Sequence, residues 1–186
     1  MTAPDRLNDG TDRAPYLRKD MNLGTMMNLQ ESCEAPAYDF ADPMPALTFL
    51  KEQGYEGVQT FEPNGPKAAG FKITGMGSTH DPDALDKIAA DQKAAGYECT
   101  TLHCGTGFES DDDMARFADA LLTAAAKHNH PMYIETHRAT MTQDIKRTLD
   151  LVEKCVTLSE LSNGVNHRGV RLVQPSASGY LAVEVD

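Results

Sequence analysis

The stretch Gln92-Lys93-Ala94-Ala95-Gly96-Tyr97-Glu98-Cys99-Thr100-Thr101-Leu102-His103-Cys104 passes from a helix end, through a glycine stop, into a strand. Glycine suits the left-handed residue just past a helix, and the aromatic after it can fold back over the last turn. The same phrase occurs twice earlier, in Leu50-Lys51-Glu52-Gln53-Gly54-Tyr55 and Pro66-Lys67-Ala68-Ala69-Gly70-Phe71. The segments after these three glycines, Glu56 to Phe61, Lys72 to Met76 and Glu98 to Cys104, read as strands.

Helix starts are marked as clearly. Asp42-Pro43 and Asp81-Pro82 each place a capping carboxylate before a proline, and Ser110 precedes three aspartates that suit the positive end of a helix dipole. Thr140 and Gln143 have capping-box spacing. Met114, Phe117, Ala118, Leu121, Leu122 and Ala125 recur with helical periodicity, and a second amphipathic helix from about Met141 to Lys154 carries Ile145, Leu149 and Val152 on one face. The order is strand near Leu23 to Leu29, helix, strand near 57 to 61, short helix, strand near 72 to 76, helix, strand near 98 to 104, helix, strand near 131 to 136, helix.

Such alternation specifies an α/β fold with a parallel sheet covered by helices. A closed barrel of eight units needs about 250 residues, whereas this chain has 186 and five legible units. The expectation is a partial (β/α)8 TIM barrel over residues 21–154, a flexible segment over 1–20, and an irregular tail over 155–186. In the tail only Gly169 to Val173 and Tyr180 to Val185 look strand-like. A doubly wound sheet competes, but no Gly-x-Gly-x-x-Gly comes after the first strand.

The composition, 40% hydrophobic and 24% charged, is that of a globular protein, and a net charge of −11 disfavours nucleic acid as a partner. There is no apolar run for a signal-peptide core or a membrane span. Cys33, Cys99, Cys104 and Cys155 show no paired metal-finger spacing, so reduced thiols and a cytoplasmic location are the default.

Sites of parallel α/β folds form at the carboxyl ends of strands. The polar groups there are Glu62, His80, His103, Glu135 and His137. Alternation sets Tyr133, Glu135 and His137 on one face and Met132, Ile134 and Thr136 on the other, and it sets Thr101 and His103 opposite Leu102. A carboxylate closing an apolar strand is costly unless paired or metal-bound, so Glu135 and its neighbour His137 lead. Each has a structural reading as well. His103 can be a hydrogen-bonded core histidine, Glu62 a solvated loop residue, His80 part of a turn and Cys104 a small buried hydrophobe. His128 and His130 sit at a helix end, where a cation favours the dipole.

Three segments carry a family likeness. Gly54-Tyr55-Glu56-Gly57-Val58-Gln59 entering the second strand, Leu102-His103-Cys104-Gly105 at the fourth and Ile134-Glu135-Thr136-His137-Arg138 at the fifth resemble the xylose isomerase-like TIM-barrel superfamily of sugar phosphate isomerases and epimerases. The resemblance implies a sugar or sugar-phosphate substrate and a divalent metal (Mn, Mg, Co or Zn) at the barrel mouth. It implies Glu135 as metal ligand and acid/base, His103 and His137 as substrate-binding residues, and Glu62 as a peripheral one. The family's other ligands come from later strands, as an Asp-x-x-His segment, a His and a Glu. No Asp-x-x-His occurs after Cys155, and Glu160, His167 and Glu184 lack the spacing.

The expectation is therefore a truncated or frameshifted N-terminal part of such an enzyme, holding metal weakly if at all and inactive alone. Its partner would be a complementary half-chain or another copy. The alternative is a non-catalytic α/β domain that binds a partner chain or a polyol. The endonuclease branch of the same superfamily demands a basic DNA face, against which the acidic balance stands.

Overall fold

Gly54, Gly70 and Gly96 take the left-handed backbone that the repeated phrase predicts, at φ 78°, 77° and 83°. Each helix therefore stops where expected, and a strand begins within a few residues. The computed structural model describes residues 19–23, 36–161, 170–173 and 182–185. The elements are β1 (Asp20–Asn22), α1 (Met44–Glu52), β2 (Gly57–Gln59), α2 (Asn64–Ala68), β3 (Lys72–Thr79), α3 (Leu85–Ala95), β4 (Thr100–Cys104), α4 (Asp111–His128), β5 (Met132–Ile134) and α5 (Ile145–Leu161). A 3-10 turn, Pro82–Ala84, leads into α3. Two further strands, β6 (Val170–Val173) and β7 (Ala182–Val185), pair antiparallel and fall in the two strand-like stretches of the tail.

The first strand lies earlier than the expected Leu23 to Leu29, and residues 24–29 are outside the described residues. Of the segment 1–20, residues 1–18 are outside them too, and Asp20 already belongs to β1. The strands pair in chain order, β1-β2-β3-β4-β5, and all four pairings are parallel. A doubly wound sheet reverses its strand order at a switch point; these five strands never do. With right-handed crossovers, every step goes the same way and every helix lands on the same face, which is the arrangement of a partial (β/α)8 barrel.

The core confirms it. Val58 and Ile73 pack with Ala46, Leu47 and Leu50 of α1, while Leu102, Cys104, Met132 and Ile134 pack with residues of α3, α4 and α5. These strand residues share one side of the sheet by register. Gly75 belongs to that side as well, where a Cβ would collide with the Gln92 side-chain oxygen. Its absence lets α3 close on the sheet.

Capping agrees with the sequence at two starts and departs from it at two. Asp81 accepts from the Asp83 N–H, and Ser110 and Asp113 form a reciprocal capping box on α4. At α1 the expected Asp42 cap is replaced by Pro43, which takes helical angles (φ −75°, ψ −12°) and leaves the start without a side-chain cap. Asp42 thus stands one residue too early to reach the first turn's N–H groups. Thr140 and Gln143 do not open a helix either. They hold a turn in which Gln143 Oε1 accepts from the Ala139 N–H, and α5 begins at Ile145 with Asp144 Oδ1 accepting from the Arg147 N–H at 2.8 Å. The buried side of α5 is Thr148, Leu151 and Val152. Ile145 is 78% and Leu149 50% exposed, contrary to the expected apolar face. Thr148 fills a buried place because its hydroxyl bonds the Thr142 and Asp144 carbonyls. Hydrophobicity alone misses such a residue.

Candidate functional site

The face away from the helices carries polar side chains. Alternation puts Thr74, Met76 and Ser78 of β3, Thr101 and His103 of β4, and Tyr133 of β5 there, all half-buried or exposed. Ser78 pairs in register with His103, and one residue past the Leu102–Ile134 pair the same register sets His103 beside Glu135. Three adjacent strands thus end in a row of hydroxyl, imidazole and carboxylate. The row lies at their carboxyl ends, where sites of this architecture form.

Within the row, His103 Nε2 lies 3.5 Å from Glu135 Oε2, and the two side chains are 31% and 17% exposed. The contact gives a carboxylate at the end of an apolar strand a polar neighbour. The His137 ring stacks on His103, with centroids 4.3 Å apart and planes 22° from parallel. His137 Nδ1 is 2.6 Å from the Arg138 carbonyl oxygen. A carbonyl only accepts, so Nδ1 carries a proton and Nε2 is the ring's other polar atom.

The loop behind the row is tied at several points. Thr140 Oγ1 donates to the His137 carbonyl at 2.6 Å, Thr142 Oγ1 donates to the Glu135 carbonyl at 3.0 Å, and the Met141 N–H donates to the Cys104 carbonyl at 2.9 Å. Between these ties Ala139 is held at φ 59°, a left-handed conformation rare for a residue with a Cβ. The loop after β4 is fixed in another way, because Glu109 accepts from the Thr106 N–H and hydroxyl and from the Gly107 N–H. Burial pushes the Glu109 carboxyl up, but hydrogen bonds from Thr106, its own backbone and Gly107 outweigh that and hold it below its ordinary value. Gln143 Nε2 donates to the Gly107 carbonyl and joins the two loops.

Of the residues singled out in the sequence, the fold brings His103, Glu135 and His137 together. Glu62 stands elsewhere, in a cleft beside Tyr38, Phe40 and Phe61. His80 is exposed just beyond β3. Cys104 is fully buried, and burial pushes its thiol up to about 12, which makes it an inert hydrophobe. His128 pairs with Asp86 at 2.8 Å, and hydrogen bonds from Lys127 and His128 hold that carboxyl below its ordinary value. His130 corrects the helix-end reading. It is 1% exposed, with Nε2 2.8 Å from Thr100 Oγ1. Burial, then the charges of Lys93 and His128, lower its pKa, so the interior favours the neutral ring over the charged one.

A divalent ion needs four or more donors, several of them anionic or imidazole. His103 and Glu135 offer two, and among the described residues no group of three His, Cys, Asp or Glu side chains is placed to hold a metal ion. Within the described residues the strand-end row supplies two of the donors that such an ion needs. No helix among the described residues is long and apolar enough to cross a membrane.

No protein-family model matches the chain, and neither does any curated protein. Sequence reading overlooked Ser78 and the aromatic cleft. Ser78 belongs to a strand that continues to Thr79, three residues beyond its expected end. The glycines of Gly75-Met76-Gly77 are poor strand formers and hid the extension. The cleft is assembled from two loops far apart in sequence, and no local pattern announces it.

Proposed function

We propose that the row at the strand ends binds a sugar or sugar phosphate and that Glu135 moves a proton at the carbon next to its carbonyl, an isomerase- or epimerase-like reaction. The observation that carries this reading is the pairing of Glu135 with His103 at 3.5 Å on the half-open polar face. A carboxylate at such a place is a general base within reach of a bound polyol. It takes the proton from carbon, the C–H pair becomes the C=C bond of an enediolate, and the C=O π pair moves onto the oxygen. Isomerisation returns the proton to the neighbouring carbon while the hydroxyl proton passes from one oxygen to the other, and epimerisation takes a water proton on the opposite face. His103, His137 Nε2 and Ser78 would hold hydroxyls. A cytoplasmic location goes with this reading.

The test is incubation with a panel of aldoses, ketoses and their phosphates in deuterium oxide, with NMR as the readout. Deuterium should enter the carbon next to the carbonyl, and Glu135→Gln should abolish its entry. Label that enters equally fast with the variant would overturn the role of Glu135, and no exchange together with no binding of any member of the panel would overturn the whole reading.

A second reading, a domain that associates without turnover, is favoured by exposed Ile145 and Leu149, one turn apart on α5. Light scattering separates the two. A stable monomer at high concentration would remove it.

A further inference from the structure

We propose that the cleft between the loop before α1 and the loop from β2 to α2 is a binding site for a quaternary or methylated ammonium group. It measures about 450 Å³ and is lined chiefly by Tyr38, Phe40, Pro43, Phe61 and Glu62. That size is within the roughly 300–1,000 Å³ of small-molecule sites. Tyr38 and Phe40 meet edge to face, with centroids 5.2 Å apart and planes at 84°, so the two rings form a corner. Phe61 adds a third ring. Tyr38 is 6% exposed and backs the cleft, whereas Phe40 is 51% and Phe61 62% exposed, so the ring surface open to a ligand is that of the two phenylalanines.

The chemistry selects the occupant. Aromatic faces attract cations through the ring quadrupole, most strongly cations that shed water easily, and this is how choline-like groups are recognised. Glu62 supplies the opposite charge. Its backbone N–H donates to Thr60 Oγ1 at 3.0 Å, which fixes the start of the loop. Its charge reaches the cleft wall, because the Tyr38 hydroxyl is pushed up first by burial and then by Glu62. Elsewhere the protein covers ring faces with its own lysines, Lys19 over Tyr55 at 4.3 Å and Lys51 over Phe71 at 4.0 Å. None of the described residues lining this cleft is a lysine or arginine. A single carboxylate is too few donors for a metal ion, and the chain's net charge of −11 favours a cation over an anion.

The experiment is titration of the full chain with choline and with 3,3-dimethylbutan-1-ol, its uncharged carbon isostere, monitored by NMR. Choline should bind saturably and about ten-fold or more tightly than the isostere, and Phe61→Leu and Glu62→Gln should each weaken it by about three- to ten-fold. Phe40→Leu gives a second ring variant, and far-UV circular dichroism checks that all three are folded. Equal binding of the two compounds, no saturable choline binding, or unchanged choline affinity in the folded variants would overturn the proposal. Glu135→Gln should leave choline binding unchanged, so the outcome is independent of the strand-end site.

Discussion

Leu102 and His103 are neighbours in β4, yet one is 1% exposed among the side chains of α4 and the other stands 31% exposed beside a carboxylate. The contrast runs along the whole sheet. One face carries Val58 and Ile73 into one apolar cluster and Leu102, Met132 and Ile134 into another, and the other presents threonines, Ser78, His103, Tyr133 and Glu135. The two-residue period of a strand thus separates stability from chemistry. A substitution can disturb one with little effect on the other.

The largest effect should come from the packed face. Leu102→Ala should cost about 2–5 kcal/mol in urea unfolding, since it empties a fully buried site; a loss under about 1 kcal/mol would break the contrast. Next is the start of α4, where Ser110→Ala removes the hydroxyl half of the capping box and should cost about 1 kcal/mol. A gentler probe of the packed face is pH. His130 is held below its ordinary 6.5 in the fold, so below that pH the unfolded chain binds the proton more readily, and stability should fall as pH drops from about 7.5 to 5.5. Its contribution is whole above 6.5 and is lost as pH falls through the folded value, and His130→Gln should flatten the profile. The lowered carboxyls of Glu109 and Asp86 act only further down, below their ordinary 4.5 and 3.8. The smallest change in stability should be that of Glu135→Gln, within about 0.5 kcal/mol. A larger loss would show that Glu135 supports the fold as well as the site.

The α/β alternation was legible because its punctuation is local. Gly96 stops α3 and Ser110 starts α4 through backbone chemistry that needs no distant partner. Places decided by distant groups were misread. Thr140 and Gln143 have the spacing of a cap, but Gln143 reaches to Gly107 across the next loop and serves a turn instead. His130 looks like a helix-end cation until Thr100, thirty residues away, is seen to meet its Nε2 in the interior. In the site, His103 and Glu135 were legible because alternation and strand-end position are properties of a single strand. Their contact, the stacking of His137 and the alignment of Ser78 depend on register between strands, which no single segment encodes.

The unreversed strand order bears on how the chain acquires its shape. Gly57 pairs back to Asp20, Lys72 to Gly57, Thr100 to Gly75 and Met132 to Thr100. No strand of β1–β5 waits for a neighbour that comes later than the next strand. Loop closure between successive units is short and inexpensive compared with bringing distant strands together. The sheet can grow one strand at a time as the polypeptide leaves the ribosome, and its chemical row is completed only when β5 arrives.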